Sequence, residues 1–441
     1  MTSPGTPRRK FLKSITGAAL AMTTIPSWAR VSDPLGQNVL AAGSSLFDSA
    51  DFESTARHKT VGADDEAYWS MVKQQFAVPG KLIMMNAANL CPSPYFIQEE
   101  IGEFTGALGK DVSFQYRECF ASFRKEALNL LANYLGVGAA EVAITRNTSE
   151  SNNIIVNGLD LKAGDEIVMW DQNHPTNGIA WEQRAKRYGI VVKKVSVPVA
   201  PESEEQLVEP FAKAITSKTR LITVSHISNV SGIALPAKKL GKLAREKGIL
   251  FHLDGAQSCG FLDINLRDIG CDFYSASAHK CLMGPIENGI LYIKNDAMNK
   301  VWPLIIGAGW KEGSTTADEK YAILGQRNES TAAAMAAIIR FHNQIGKAAV
   351  EQRSRYLSAQ LRSKINQALS GRVKFVSPQL PAVSGGIVII ELTGKSSPEV
   401  YQKLYSQHGI ACAPSGGIRF SPHIYNAVGE LDRVVDALKN V

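Results

Sequence analysis

From Tyr68 onward the chain alternates short apolar runs with longer stretches in which apolar residues recur every three or four positions. The short runs, closed by turn residues, predict strands at 141–145, 166–170, 191–197, 221–226, 249–253, 273–276 and 289–293. Stretches of helical period lie among them, as at 122–135 and 179–188. Strand and helix in alternation predict an α/β fold, a mostly parallel sheet flanked by helices, with ligands beyond the carboxyl ends of the strands. Near residue 330 the pattern changes. A long helical stretch over 330–369, strands around 373 and 386–392, a helix over 398–408, a pair of strands within 410–421 and a helix from 428 predict a smaller α+β unit. The expected organisation is a large domain over 66–329 and a small carboxy-terminal domain over 330–441, after a weakly patterned lead-in over 30–65.

Residues 1–29 have a pattern of their own. Arg8, Arg9, Lys10 and Lys13 precede an apolar stretch over 14–25 that ends in Pro26-Ser27-Trp28-Ala29. The stretch is too short for a bilayer, which needs about 20 residues. A charged head, a short apolar middle and a small-residue ending describe a signal peptide. Its adjacent arginines, followed by Phe11-Leu12-Lys13, resemble the twin-arginine export signal. That resemblance implies the twin-arginine export machinery as a partner, a periplasmic location, no membrane span in the mature form, and export of a folded chain with any cofactor already inserted.

Composition narrows the function classes. Hydrophobic residues make up 45% of the 441 and charged residues 20%, which excludes a disordered chain or a multi-span membrane protein. Lys and Arg exceed Asp and Glu by 7, and four of those positives lie in the leader. With no basic run elsewhere, the chain offers nucleic acid no electrostatic footprint. The six cysteines, at 91, 119, 259, 271, 281 and 412, form neither a disulfide scaffold nor a Cys-x-x-Cys metal or redox pair.

Three strand ends carry polar groups that a sheet does not need. In Ile144-Thr145-Arg146-Asn147-Thr148-Ser149-Glu150 a strand stops and a helix starts, and the free amides and dipole of a helix start attract phosphate. Taken alone, Asn147 or Thr148 is an ordinary N-cap. In Phe251-His252-Leu253-Asp254-Gly255-Ala256-Gln257 an apolar strand ends in a carboxylate, which needs a cation or several donors if buried. A turn aspartate explains that segment equally well. In Ser275-Ala276-Ser277-Ala278-His279-Lys280 a strand of small residues delivers a lysine. Among apolar neighbours its amine pKa falls, which suits Schiff-base chemistry, although a surface lysine is the commoner case. Together the three supply what pyridoxal 5′-phosphate requires: a phosphate cradle, a carboxylate for the ring nitrogen and a lysine amine.

The same segments, in this order, resemble the class V aminotransferase family of pyridoxal-phosphate enzymes of fold type I, whose relatives include cysteine desulfurases and isopenicillin N epimerase-like proteins. The resemblance runs from about residue 80 to the end. It implies that Thr148 and Ser149 hold the phosphate, with Ser277 and His279 assisting. Asn173-His174-Pro175-Thr176-Asn177, with Trp181 beyond, is similar to the family's histidine segment, which implies that His174 stacks on the ring. His226-Ile227-Ser228-Asn229-Val230-Ser231-Gly232 implies a place for Asn229 near the phenolic oxygen and the substrate carboxylate. By the same resemblance Asp254 meets the pyridinium nitrogen, Gln257 bonds the phenolic oxygen and Lys280 carries the cofactor. Gly417-Ile418-Arg419-Phe420-Ser421 implies that Arg419 clamps the substrate α-carboxylate. A homodimer with active sites at the interface is implied as well.

Two departures bear on function. Cysteine desulfurases carry a nucleophilic cysteine on a loop before that arginine, whereas here Cys412 stands at a strand end and the loop is short. Gly325-Gln326-Arg327-Asn328 resembles an epimerase-like segment that reaches the partner's phosphate, with Gln326 where threonine is usual. His58, His252, His342, His408 and His423 match no motif and read as core or surface residues. The resulting expectation is an exported pyridoxal-phosphate enzyme acting on an α-amino group. Transamination leads, and twin-arginine export suggests tailoring of a pyoverdine-type siderophore side chain. The alternatives are an epimerase, a carbon–sulfur lyase, or a noncatalytic binding protein that has kept the fold.

Overall fold

In the computed structural model, which describes residues 61–441, the seven expected strands lie in one sheet. The stretch expected to be an export signal and all of the lead-in before residue 61 fall outside the described residues. A two-residue strand, β1 (Ile83–Met84), comes first. It is followed by β2 (Val142–Thr145), β3 (Glu166–Trp170), β4 (Val191–Val195), β5 (Thr219–Ser225), β6 (Leu250–Asp254), β7 (Phe273–Ser277) and β8 (Gly289–Ile293). The sheet order is β2-β8-β7-β6-β5-β3-β4, and only β8 runs antiparallel to its neighbours. Strands β6, β7 and β8 are buried almost throughout because helices cover both faces, so they read as apolar runs without alternation. Among the described residues no helix is long and apolar enough to cross a membrane.

The carboxy-terminal strands are β9 (Val373–Phe375), β10 (Val388–Leu392), β11 (Ile410–Ala411) and β12 (Ile418–Phe420). They make no hairpin over 410–421. Strand β11 pairs in parallel with β1, whereas β12 pairs with β10 in a three-stranded antiparallel sheet. Only an isolated bridge joins Ala413 to Arg419. The stretch 330–369 is two helices, because Gly346 at φ +89° ends the first and admits the second.

Helices that position the site are α1 (Phe114–Leu135), α2 (Thr148–Gly158), α3 (Pro175–Tyr188), α4 (Glu329–Ile345) and α5 (Lys347–Ala368). Helix α4, which opens the stretch expected to form the smaller unit, places Met335, Ile338 and Phe341 in the main core. A second core gathers Leu357, Leu361 and Ile365 of α5 with Ile390, Ile418 and Phe420, and takes in Ile83 and Met85 from the start of the chain. Segments far apart in sequence therefore meet beside the carboxyl ends of the main strands.

Candidate active site

Strand β2 ends at Thr145, and Asn147 caps α2 by accepting the Glu150 amide at 3.0 Å. The Thr148 amide donates to Ser277 Oγ at 2.8 Å, and the two hydroxyls lie 2.6 Å apart, which joins the ends of β2 and β7 across β8. Strand β8 passes under this turn only because residue 289 is glycine. A Cβ there would sit 2.2 Å from Thr145 Oγ1 and 2.4 Å from the Asn147 amide nitrogen. Below, Arg124 and Arg327 both donate to the Ile144 carbonyl, at 2.9 and 2.8 Å. Gln326 accepts from Arg117 of its own chain at 2.6 Å. Ser149 stands half-buried in the first turn of α2, where the helix dipole favours an anion.

Asp254 closes β6 and is 2% exposed. Its Oδ1 accepts the Ala256 amide at 3.1 Å and its Oδ2 accepts Asn152 Nδ2 at 3.0 Å. Asn152 lies on α2, so one helix holds both the phosphate turn and the carboxylate. Gln257 is buried close by, and its Oε1 has no partner.

Lys280 follows β7. It is half-buried, and among the described residues its amine makes no hydrogen bond or ion pair. Burial lowers its pKa, with the nearby Asp254 carboxylate opposing the shift. His174 caps α3 ahead of Pro175, and its backbone N–H donates to Ser225 Oγ at 3.0 Å. Its Nδ1 lies 2.9 Å from Thr176 Oγ1. Burial and then the Lys280 charge push this imidazole down, so it is neutral at neutral pH. His279 is pushed down to about 4, mainly by burial, and its Nδ1 has no partner.

Arg419, on β12, is 5% exposed and meets no carboxylate among the described residues. Its Nη1 donates to the Asn229 carbonyl and its Nη2 to Asn86 Oδ1, each at 3.1 Å, while Nε has no partner. Burial pushes its pKa down to about 10. The Asn229 side chain turns to Ser415 Oγ at 3.3 Å, so Asn229 braces the loop that carries Arg419. A buried guanidinium without a counter-charge is costly unless an anion joins it.

Three residues here were not foreseen from the sequence: Asn152, Asn86 and Gln172. Gln172 Oε1 accepts the Ser228 and Ser231 hydroxyls at 2.7 and 2.6 Å and so shapes the turn that presents Asn229. The remaining histidines of this region do other work. His252 links Thr223 to Ser275 within the sheet, and burial pushes it down to about 3. A cavity of about 720 Å³ opens at the amino ends of β5 and β6, beside Thr219, Arg245, Arg267 and Lys300. It contains none of the residues above, so the chemistry of the side chains, not cavity size, locates the site.

Among the described residues the site gathers an amine without a partner, a carboxylate held only by neutral N–H donors, a guanidinium without a counter-charge, a helix start, and Gln257 Oε1 and His279 Nδ1 without partners. That donor set fits a phosphorylated pyridine aldehyde together with a substrate carboxylate. The family model described as "Aminotransferase class-V" matches residues 102–434. The chain belongs to the class V aminotransferase family. Isopenicillin N epimerase of Amycolatopsis lactamdurans is 28% identical over 396 residues, covering 85% of this chain and 98% of the relative. A probable cysteine desulfurase of Methanothermobacter thermautotrophicus is 27% identical over 391 residues, covering 81% and 94%. Among solved structures, the apo cysteine desulfurase of Thermococcus onnurineus NA1 superposes with a TM-score of 0.75 at 23% identity, covering 84% of this chain and 97% of that one. This likeness shows the same fold.

Proposed function

We propose that this class V enzyme acts on the α-amino group of an amino acid or an amino-acid-derived metabolite, and that transamination is its reaction. The cofactor is pyridoxal 5′-phosphate. The observation that carries the reading is the half-buried Lys280 amine, which makes no hydrogen bond or ion pair among the described residues and feels the opposing charges of Asp254 and Arg419. When bound, the cofactor supplies an aldehyde that joins the substrate amine and a ring that takes up the electron pair left by the α-proton.

The chain's own residues do the rest. Thr148, Ser149, Ser277 and His279 hold the phosphate, while neutral His174 covers the ring. Gln257 bonds its phenolic oxygen, Asn229 stands near that oxygen and the substrate carboxylate while bracing the Arg419 loop, and Asp254 keeps its nitrogen protonated. Arg419 binds the substrate α-carboxylate, which supplies the counter-charge that the free protein lacks. Lys280 Nζ takes the α-proton, and burial, which lowers its pKa from the ordinary lysine value, favours the neutral amine this step needs.

Epimerisation is the second reading, favoured by the isopenicillin N epimerase relatives. It needs the α-proton returned from the opposite face, and deuterated solvent separates it from transfer. A persulfide route has less support. Cys412 is buried directly behind β11, and burial pushes its thiol up to about 12, so almost no thiolate forms at neutral pH. Incubating the enzyme with candidate amines in deuterated solvent tests the choice. Transfer is expected to give a keto product and pyridoxamine phosphate, with Cys412→Ser as active as the parent. Amine retained with deuterium at the α-carbon would instead establish epimerisation, and loss of activity in Cys412→Ser would restore the sulfur chemistry.

The twin-arginine-like leader supports work outside the cytoplasm, and a siderophore side chain of the pyoverdine type is the substrate class this suggests. The exposed apolar run Trp302, Leu304, Ile305 and Ile306 supports a homodimer, since an isolated subunit would leave it in water. Mature chain sedimenting as a dimer from a periplasmic extract is the expected result. Cytoplasmic material would overturn the location, and a monomer the assembly.

A further inference from the structure

The turn after Lys280 is held by groups from three distant parts of the chain. Ala278 O accepts from Gly284 N at 2.8 Å, and Lys280 O accepts from Met283 N at 2.7 Å. The other carbonyls face outward from the turn and find donors elsewhere. His279 O accepts the Cys91 amide at 3.0 Å. Cys281 O lies 2.9 Å from His423 Nε2, and Leu282 O lies 3.1 Å from His342 Nε2. Carbonyls from 278 to 282 are thus all satisfied, the last two by imidazoles.

The tautomers follow from the partners. A carbonyl only accepts, so both Nε2 atoms carry hydrogen. On the far side His423 Nδ1 accepts the Ile424 amide at 2.7 Å, and His342 Nδ1 accepts from the Tyr134 hydroxyl at 3.4 Å. Both rings are fully buried, and burial pushes His342 down to about 3. Two buried imidazoles therefore donate to two successive peptide groups directly beyond Lys280. The turn needs external support, because buried Met283 sits at φ +58°, a region costly for a residue with a side chain. His423 also lies four residues beyond Arg419, so one segment braces the lysine turn and carries the carboxylate clamp.

We infer that His342 and His423 are positioning residues that set where the Lys280 amine points, with His423 coupling it to the Arg419 strand. This rests on Lys280 being the cofactor lysine. The test uses holoenzyme and follows the cofactor's absorbance against pH, with melting temperature recorded separately. His423→Phe keeps an aromatic ring and removes the donor. His423→Gln restores an N–H of similar reach. The expected result is a spectral midpoint displaced by about half a pH unit or more in His423→Phe, slower borohydride fixation by about tenfold, and recovery of both in His423→Gln. If His423→Phe does not fold, His342→Phe carries the same test on the next carbonyl. Folded Phe variants that melt lower yet titrate and fix cofactor as the parent does would overturn the clamp and leave ordinary core histidines. Fixation in the parent at a residue other than Lys280 would instead sink the underlying assignment.

Discussion

Lys280→Ala is expected to lose about 10²–10⁴-fold in turnover, the range for removing a positioned general base. Borohydride should then fix no cofactor to the chain, which intact-mass measurement reads directly. The fold should survive. Among the described residues the Lys280 amine has no hydrogen bond or ion pair to lose, and burial already disfavours its charged form. The apo variant is therefore expected to melt at or slightly above the parent's temperature, as happens when a strained functional group is removed. Turnover at the parent's rate would show that another amine carries the chemistry. A variant that is inactive only because it is unfolded would show that the amine is structural.

How much of this was legible beforehand depends on where the signal resides. Strands β3 and β8 match the sequence reading at both ends, because each is a compact apolar run bounded by turn residues. The polar residues at the ends of β2, β6 and β7 stood out because a buried sheet has no use for them. Elements that exist only through tertiary pairing were illegible. Strands β1 and β11 are two residues each, too short for any period, and form because Ile83 and Ile410 meet across the chain. Both strands expected within 410–421 are present, but their partners lie elsewhere in the chain: β11 pairs with β1 and β12 with β10. Asn152, Asn86 and Gln172 escaped notice because an amide on a helix face or in a loop is unremarkable until the group it bonds is in view. His342 and His423 read as core or surface residues and prove to be buried, but sequence could not place their Nε2 atoms on the lysine turn.

Asp254→Asn separates cofactor attachment from cofactor use. The substitution keeps the shape of the side chain and its bond to the Ala256 amide. The new amide nitrogen would face Asn152 Nδ2, but Asn152 Oδ1 is buried without a partner, so a flip of Asn152 restores a donor–acceptor pair. The cost to stability should be about 1 kcal/mol, that of one rearranged hydrogen bond. The cost to chemistry is larger, because the ring nitrogen loses the anion that keeps it protonated. A charge pair at contact distance and an effective dielectric of 20 is worth about 4 kcal/mol, or about 10³-fold in rate. The expected outcome is a folded protein that still yields cofactor fixed to Lys280 with borohydride and exchanges the substrate α-proton about a thousandfold more slowly. Exchange within about tenfold of the parent would mean that Asp254 serves the fold and not the ring, since a factor of ten is only about 1.4 kcal/mol.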